Sequence, residues 1–240
     1  MTVRSNARHS LALHSPCWAQ AFRPGVVAAM HGLATRLGLD VTLPRGQTCC
    51  GLPAWDAGEM EAARAAARRS LRLFQPFMKV LTPSAGCLRM FHHHFPDLFA
   101  GQPEAAAALD LARRSQSWAA FLDAEIGAEA LGLRFSGRIA YFQPCTQADA
   151  GPVQRLLAGV RGASLVSAAT PVCCGFGANL SWRQPDLARV LGEQTVAALR
   201  LSGADLCVTD DAGCLSYLAP LMAKLQGPPL YHLAEFLAAA

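Results

Sequence analysis

Charge is scarce in this chain. Asp, Glu, Lys and Arg together make up 16% of its 240 residues, and aromatic residues make up 8%. The net charge is +4, and arginines such as Arg64, Arg68, Arg69 and Arg72 recur within one helical stretch as a solvated face. A nucleic-acid groove needs denser basic patches, often interleaved with aromatic platforms, so that class of partner is excluded. No hydrophobic run reaches the length of a membrane span. No long apolar signal core follows the opening "MTVRSNARHS", so a cytoplasmic protein with free thiols is the expectation. An even set of cysteines is also missing, since there are nine; a complete intramolecular disulfide framework is therefore a poor account of them. Nowhere does the chain write Cys-x-x-Cys, which removes the short zinc knuckle. "GFGAN", residues 175 to 179, follows a cysteine loop and lacks the third glycine of a dinucleotide fingerprint.

What is present is hydrophobic residue and repetition. Hydrophobic residues are 52% of the chain, enough for a sizeable core. Ala-Gly-Cys-Leu occurs at residues 85–88 and again at 212–215, and Cys-Cys-Gly at 49–51 and again at 173–175. Three cysteine positions correspond between the halves: Cys17 with Cys145, Cys49 with Cys173, and Cys87 with Cys214, at offsets of 128, 124 and 127 residues. Near-equal offsets in the same order point to a duplicated unit.

Each half runs through the same elements. "SLALHSPC" is an apolar strand ending at Cys17, and "GRIAYFQPC" ends the same way at Cys145. A helix follows each, from Pro24 to Gly38 and over "PVQRLLAGV". Weak strands over "LDVTLP" and "ASLVSA" lead into the two Cys-Cys-Gly loops. Strong helices follow over "EMEAARAAARRSLRLF" and "PDLARVLGEQTVAALRLSG". "FMKVLTPSAGC" and "ADLCVTDDAGC" then read as strands that exit at Cys87 and Cys214. This rhythm predicts an α/β fold, a duplicated cysteine-rich unit in which each copy is a small parallel sheet covered by helices, the copies related by pseudo-two-fold symmetry. The first repeat is placed at 1–132, with a mostly helical insertion at about 103–131 packed through Trp118 and Phe121, and the second at 133–240. Every cysteine segment falls at a strand exit, where ligands of such sheets gather.

Four thiols per copy, delivered by three separate loops, suit a preorganised metal site. Iron–sulfur and zinc are the leading alternatives, with a redox dithiol third. Adjacent cysteines place two thiolates on neighbouring backbone positions, and the glycine after each pair permits close backbone approach. Buried, inert cysteines are the bland account, which repetition of the whole pattern disfavours. Cys207 has no mate in the first half and reads as core. His92, His93 and His94 read as polar surface. His14 and His232 stand beside strand exits, as candidates to donate a hydrogen bond to a cluster sulfur. Phe176, Leu180 and Trp182, with Leu52 and Trp55 on the other side, are expected to form an apolar rim at a partner interface or to pack within their own copies.

From about Leu11 to Leu237 the chain resembles the cysteine-rich CCG-domain family. "GQTCCGLPAWDAG", "SAGCLRMF", "CCGFGANLS" and "YHLAEFL" carry the resemblance. More narrowly it is similar to the lactate-utilisation branch, the iron–sulfur subunits of a bacterial L-lactate oxidation system. Similar duplicated domains occur in the B subunit of heterodisulfide reductase and in the cluster subunits of glycolate and glycerol-3-phosphate oxidation. The resemblance implies up to two iron–sulfur clusters of 4Fe–4S type, zinc being the alternative, held by Cys17, Cys49, Cys50 and Cys87 and by Cys145, Cys173, Cys174 and Cys214. It implies a non-autonomous electron-transfer subunit, with a ferredoxin-like partner of the lactate-utilisation protein B kind and a third subunit of the protein C kind. Through such partners the chain is expected to be cytoplasmic or peripheral at the inner membrane. A zinc-bound assembly subunit is the reading from another class. Family sites often end in Cys-x-x-Cys, but Met90 and Tyr217 stand at that place here. Thr146 and Ala212 stand where lactate-type relatives tend to carry histidine and cysteine. The missing last thiol disfavours transfer of disulfide-cleaving chemistry, whereas Thr146 and Ala212 bear on cluster type and occupancy.

Overall fold

The computed structural model describes residues 9–169 and 173–240. Strands β1 (His9–Leu13), β2 (Val41–Thr42), β3 (Phe77–Thr82) and β4 (Ser115–Ser117) form one parallel sheet in the order β2-β1-β3-β4. Strands β5 (Arg134–Tyr141), β6 (Arg161–Val166), β7 (Leu206–Thr209) and β8 (Leu230–His232) form a second, in the order β6-β5-β7-β8. The same order twice is the duplicated α/β arrangement expected from the cysteine offsets. In each sheet the chain steps outward from the first strand to the second on one side and to the third on the other. Such a reversal opens a crevice outside the carboxyl ends of the first and third strands. Central strands bury both faces and so read as continuous apolar runs; all four residues of β7 are buried.

Two long helices illustrate how spacing selects the buried face. In Met60–Phe74 the buried residues are Ala63, Ala67, Ser70, Leu71 and Phe74. In Pro185–Leu201 they are Ala188, Gly192, Thr195, Val196 and Leu199. Both sets follow the three-and-four spacing of one helical face. Both faces begin with small residues, which matters for the cysteine loops that lie on them.

The segment expected as a mostly helical insertion at about 103–131 holds three helices and one short strand. It contains helix Ala105–Arg114, but residues 115–117 are β4, an edge strand of the first sheet. β4 and helix Trp118–Glu125 mirror β8 and helix Leu233–Ala239. The pair therefore belongs to the repeat, and the added length lies before it, between Met90 and Arg114. Three strand residues carry too little periodicity to be seen in sequence. Trp118 and Phe121 are buried and stack with ring centroids 5.9 Å apart, each burial contributing roughly 1.5–3 kcal/mol. The boundary placed at 132/133 falls between helix Ala128–Leu131 and β5.

The two repeats exchange these terminal helices. Helix Leu233–Ala239 packs on helix Pro24–Arg36 of the first repeat, and helix Trp118–Glu125 packs on helix Gly151–Ala158 of the second. Arg36 donates to the Ala238 carbonyl at 2.7 Å, and Arg155 pairs with Asp123 at 2.6 Å. The two helix pairs correspond to each other across the repeats, and one hydrophobic core runs through both. Among the described residues no helix is long and apolar enough to cross a membrane.

Candidate metal centres

The repeated Ala-Gly-Cys-Leu is the first turn of a helix. Helix Ala85–Arg89 starts after Ser84, whose backbone is extended and whose hydroxyl accepts from the Cys87 N–H at 3.3 Å. Helix Ala212–Lys224 starts after Asp211, whose Oδ1 accepts from the N–H groups of Gly213 at 2.8 Å and Cys214 at 3.0 Å. Ser and Asp are strong N-cap residues, each contributing about 1 kcal/mol. Cys87 and Cys214 thus sit in the first turn of a helix; the hydrogen bond with Cys174 draws the Cys214 thiol down, but burial and the Asp211 carboxylate outweigh it and push it up. The local signal for both helix starts is the cap residue before each Ala-Gly-Cys, Ser84 and Asp211.

The other cysteines arrive from the neighbouring strand exits. Cys17 opens the short helix Cys17–Phe22 after β1, and Cys49 and Cys50 lie in the loop between β2 and helix Leu52–Asp56. In the second repeat Cys145 follows β5, and Cys173 and Cys174 precede helix Leu180–Arg183. The structure brings all eight predicted ligands into two groups. Cys50 and Cys87 approach to 3.4 Å between sulfurs, and Cys174 and Cys214 to 3.1 Å. Cys17, Cys49 and Cys50 lie close enough for their thiols to perturb one another's ionisation, and Cys145, Cys173 and Cys174 repeat the pattern. All nine cysteines are free thiols.

Each row therefore runs 17–49–50–87 or 145–173–174–214. The Cys17 thiol, seconded by that of Cys50, holds the Cys49 thiol well below its usual range, and Cys49 with burial pushes Cys17 up. Cys173 and Cys145 behave likewise. The Gly51 N–H donates to Cys49 Sγ at 3.3 Å, and the Gly175 N–H to Cys173 Sγ at 3.4 Å. A sulfur-only donor set with backbone N–H groups aimed at it fits an iron–sulfur group, whose sulfurs are tuned by such bonds. Among the described residues no three Cys, His, Asp or Glu side chains surround a single ion position.

The glycine of Cys-Cys-Gly has a use other than approach to a cluster. Gly51 and Gly175 have φ of 95° and 93°, a left-handed backbone that disfavours other residues. A Cβ on Gly51 would lie 3.0 Å from the Ala63 carbonyl oxygen, and one on Gly175 would lie 2.3 Å from that of Ala188. These glycines let the cysteine loops lie directly on the small-residue faces of helices Met60–Phe74 and Pro185–Leu201.

Several other sequence expectations resolve. Cys207 is fully buried in β7 and burial pushes its thiol up to about 12, as a core residue should behave. The three histidines are not one polar surface. His93 is exposed, whereas His94 is buried and stacks on Trp55 at 4.5 Å. His92 donates to the Ser115 carbonyl at 2.8 Å. The π-helix Met90–His94 rotates successive side chains out of register with an ordinary helix, and no local signal announced it. His14 hydrogen-bonds Thr82 Oγ1 at 2.8 Å, and burial lowers its pKa to about 3 against the smaller upward pull of Cys49. His232 does not serve a sulfur: Nδ1 accepts from the Ala234 N–H at 3.1 Å and Nε2 donates to the Pro83 carbonyl at 3.0 Å.

Burial lowers the His232 pKa from 6.5 to about 4. Between those values the unfolded chain binds a proton that the fold excludes, so stability is retained above this window and lost as pH falls through it. His232→Gln is expected to flatten the dependence of the unfolding free energy on pH between about 6.5 and 4. An unchanged slope in denaturant titrations across that range would contradict the assignment.

The aromatic rim is divided. Trp55 packs within its own repeat, against His94. Trp182 is 63% exposed and leans on Trp18 of the other repeat at 6.0 Å, and Phe176 meets Trp18 at 4.8 Å. Asn179 adds a hydrogen bond to the Pro53 carbonyl at 3.1 Å. The second cysteine loop therefore reaches across to the first repeat.

Two stretches, residues 11–92 and 139–219, each match the model of the cysteine-rich domain family called CCG. The chain belongs to that family. Both matches span one complete cysteine row. The chain is 31% identical over 211 residues to lactate utilization protein A of Oceanobacillus iheyensis, covering 84% of this chain and 85% of the relative. It is 31% identical over 234 residues to lactate utilization protein A of Geobacillus kaustophilus, covering 95% and 98%. A Bacillus cereus relative, lactate utilization protein A 2, is 27% identical over 235 residues, covering 95% and 97%. Among solved structures, a hypothetical protein from Helicobacter pylori superposes with a TM-score of 0.64 at 11% identity. That match covers 97% of this CCG protein and 49% of the other chain, and it speaks to fold alone. The paired rows of cysteines are donor sets of the kind that hold metal or iron–sulfur groups.

Proposed function

We propose that this CCG protein is an iron–sulfur electron-transfer subunit of a multi-subunit L-lactate oxidation system. The observation that carries the reading is the double row: four thiols in the same order at the switch point of each sheet. Cys17, Cys49, Cys50 and Cys87 would hold one cluster, and Cys145, Cys173, Cys174 and Cys214 a second, each of 4Fe–4S type. Such a cluster accepts and releases single electrons when bound. The Gly51 and Gly175 amides favour added negative charge on the neighbouring sulfurs. Lactate enters through the names of the relatives. Their lettering supports partners in the same system, here a ferredoxin-like subunit of the protein B kind and a third of the protein C kind.

Nothing among these residues provides a poised histidine beside an arginine clamp for a 2-hydroxy acid, the usual equipment for proton or hydride abstraction. The isolated chain, purified without oxygen, is expected to contain iron and acid-labile sulfide but not to oxidise L-lactate with an artificial acceptor. Lactate turnover should appear when the partner subunits are added. Turnover by the isolated, cofactor-checked chain would contradict the subunit role, and zinc in place of iron would favour the assembly role.

A further inference from the structure

The two cysteine rows meet at one side chain. Asp211 caps its own helix through Oδ1, as described. Its other oxygen, Oδ2, accepts from Ser84 Oγ at 2.9 Å and from the Gly86 N–H at 3.2 Å, both in the first repeat. Ser84 is itself the N-cap of the helix that carries Cys87, and Gly86 lies next to that cysteine. One buried carboxylate thus receives four hydrogen bonds, two from the first turn that presents Cys214 and two from the turn that presents Cys87. The pairing joins the equivalent N-cap positions of the two repeats, as expected at a pseudo-two-fold axis. Beside it, Pro83 accepts from His232 Nε2, a second cross-repeat bond at the same joint.

The bridge is asymmetric. A serine in each cap position would satisfy each helix locally, as Ser84 does for Cys87. Neither hydroxyl would offer a second acceptor directed at the opposite turn. A carboxylate has two oxygens and can serve both. Hydrogen bonds to an ionised acceptor are also shorter and stronger than neutral ones, so the shared group fixes the relative placement of two helix starts more firmly than two separate caps.

We propose that Asp211 is a positioning residue for both cysteine sites, its carboxylate locking the turns of Cys87 and Cys214 to each other so that the sites form one unit. The negative charge then lies beside the first repeat's site although the residue belongs to the second.

Asp211→Ser separates the two roles, because serine keeps a cap for Cys214 while removing the bridge. The proposal rests on the cluster reading for only one of its two readouts. The first is amide hydrogen exchange in the full chain. Peptides covering residues 84–90 should exchange several-fold faster in Asp211→Ser, while peptides from β5 remain as in the parent. Unchanged exchange at 84–90 would overturn the proposal, with or without metal.

The second readout is the midpoint potential of the first repeat's cluster, measured in full-length protein whose Cys173 and Cys174 are changed to serine. A carboxylate disfavours an added electron nearby, so its removal should move that potential upward; no movement would overturn the proposal. If the parent holds no iron, the proposed function fails and the exchange measurement alone decides this inference. If Asp211→Ser does not fold, Ser84→Ala tests the same bridge in reverse. It should quicken exchange in residues 211–216 of the second repeat, and unaltered exchange there would overturn the proposal.

Discussion

Cys173→Ser and Cys174→Ser are each expected to remove about half of the iron and acid-labile sulfide from the chain, leaving the first repeat loaded. The two residues stand in the middle of the second row, where Cys173 is perturbed by the thiols on both sides and Cys174 approaches Cys214 to 3.1 Å. A serine hydroxyl supplies a harder, less readily ionised donor than a thiolate. Cys49→Ser and Cys50→Ser should do the same to the first repeat. Cys17, Cys87, Cys145 and Cys214 should follow, each within its own row. Cys207→Ala is the internal control. It removes one sulfur from a fully buried strand position outside either row, so the expected cost is about 1–2 kcal/mol of stability with iron content unchanged. Iron and sulfide per chain, with absorption spectra of anoxically purified protein, check the whole series. Full iron retention in Cys173→Ser and Cys174→Ser would remove the second repeat from the cluster assignment.

Gly175→Ala should be the most damaging substitution of a residue that holds no metal. Its Cβ would stand 2.3 Å from the Ala188 carbonyl oxygen and 3.0 Å from the carbonyl carbon, and both belong to helix backbone that cannot rotate away. The left-handed φ of 93° adds a further penalty, about 1–2 kcal/mol for a residue with a Cβ. The total is expected to exceed roughly 4 kcal/mol, the range in which a substitution disrupts its surroundings. The loop can relieve the overlap only by lifting off helix Pro185–Leu201, which would carry Cys173 and Cys174 away from Cys214. Stability and second-repeat iron should therefore fall together. Gly51→Ala, with its nearest contact at 3.0 Å, should act in the same direction but less severely. Gly177→Ala, which meets nothing within 4 Å, should be close to neutral. Denaturant midpoints and iron content across these three variants provide the check. Equal effects at positions 175 and 177 would contradict the close-packing explanation.

The exchange of terminal helices bears on how the duplication is stabilised. Helix Trp118–Glu125 covers helix Gly151–Ala158 of the other repeat, and Leu233–Ala239 covers Pro24–Arg36. Either repeat alone would expose the apolar face that its partner now buries. The two cysteine sites therefore share a core as well as the Asp211 joint.

The sequence by itself determined the duplication, the sheet class and the eight clustered cysteines. These rest on short-range information: apolar strand runs, helical spacing, and cysteine pairs recurring at near-equal offsets. It also marked Cys207 as core, because that position lies between Leu206 and Val208 and has no counterpart in the first repeat. Tertiary structure alone decided the rest. β4 is three residues long and is recognisable only by its pairing with β3. His94 is buried because a π-helix turns it onto Trp55, and His232 spends both ring nitrogens on backbone groups. Glycine after each cysteine pair signalled close approach, but not that the approaching group was a helix carbonyl. The shared carboxylate of Asp211 depends on contact between residues more than a hundred positions apart. Periodicity and capping patterns describe a chain against its own axis, whereas which two turns face each other is set by how the repeats pack.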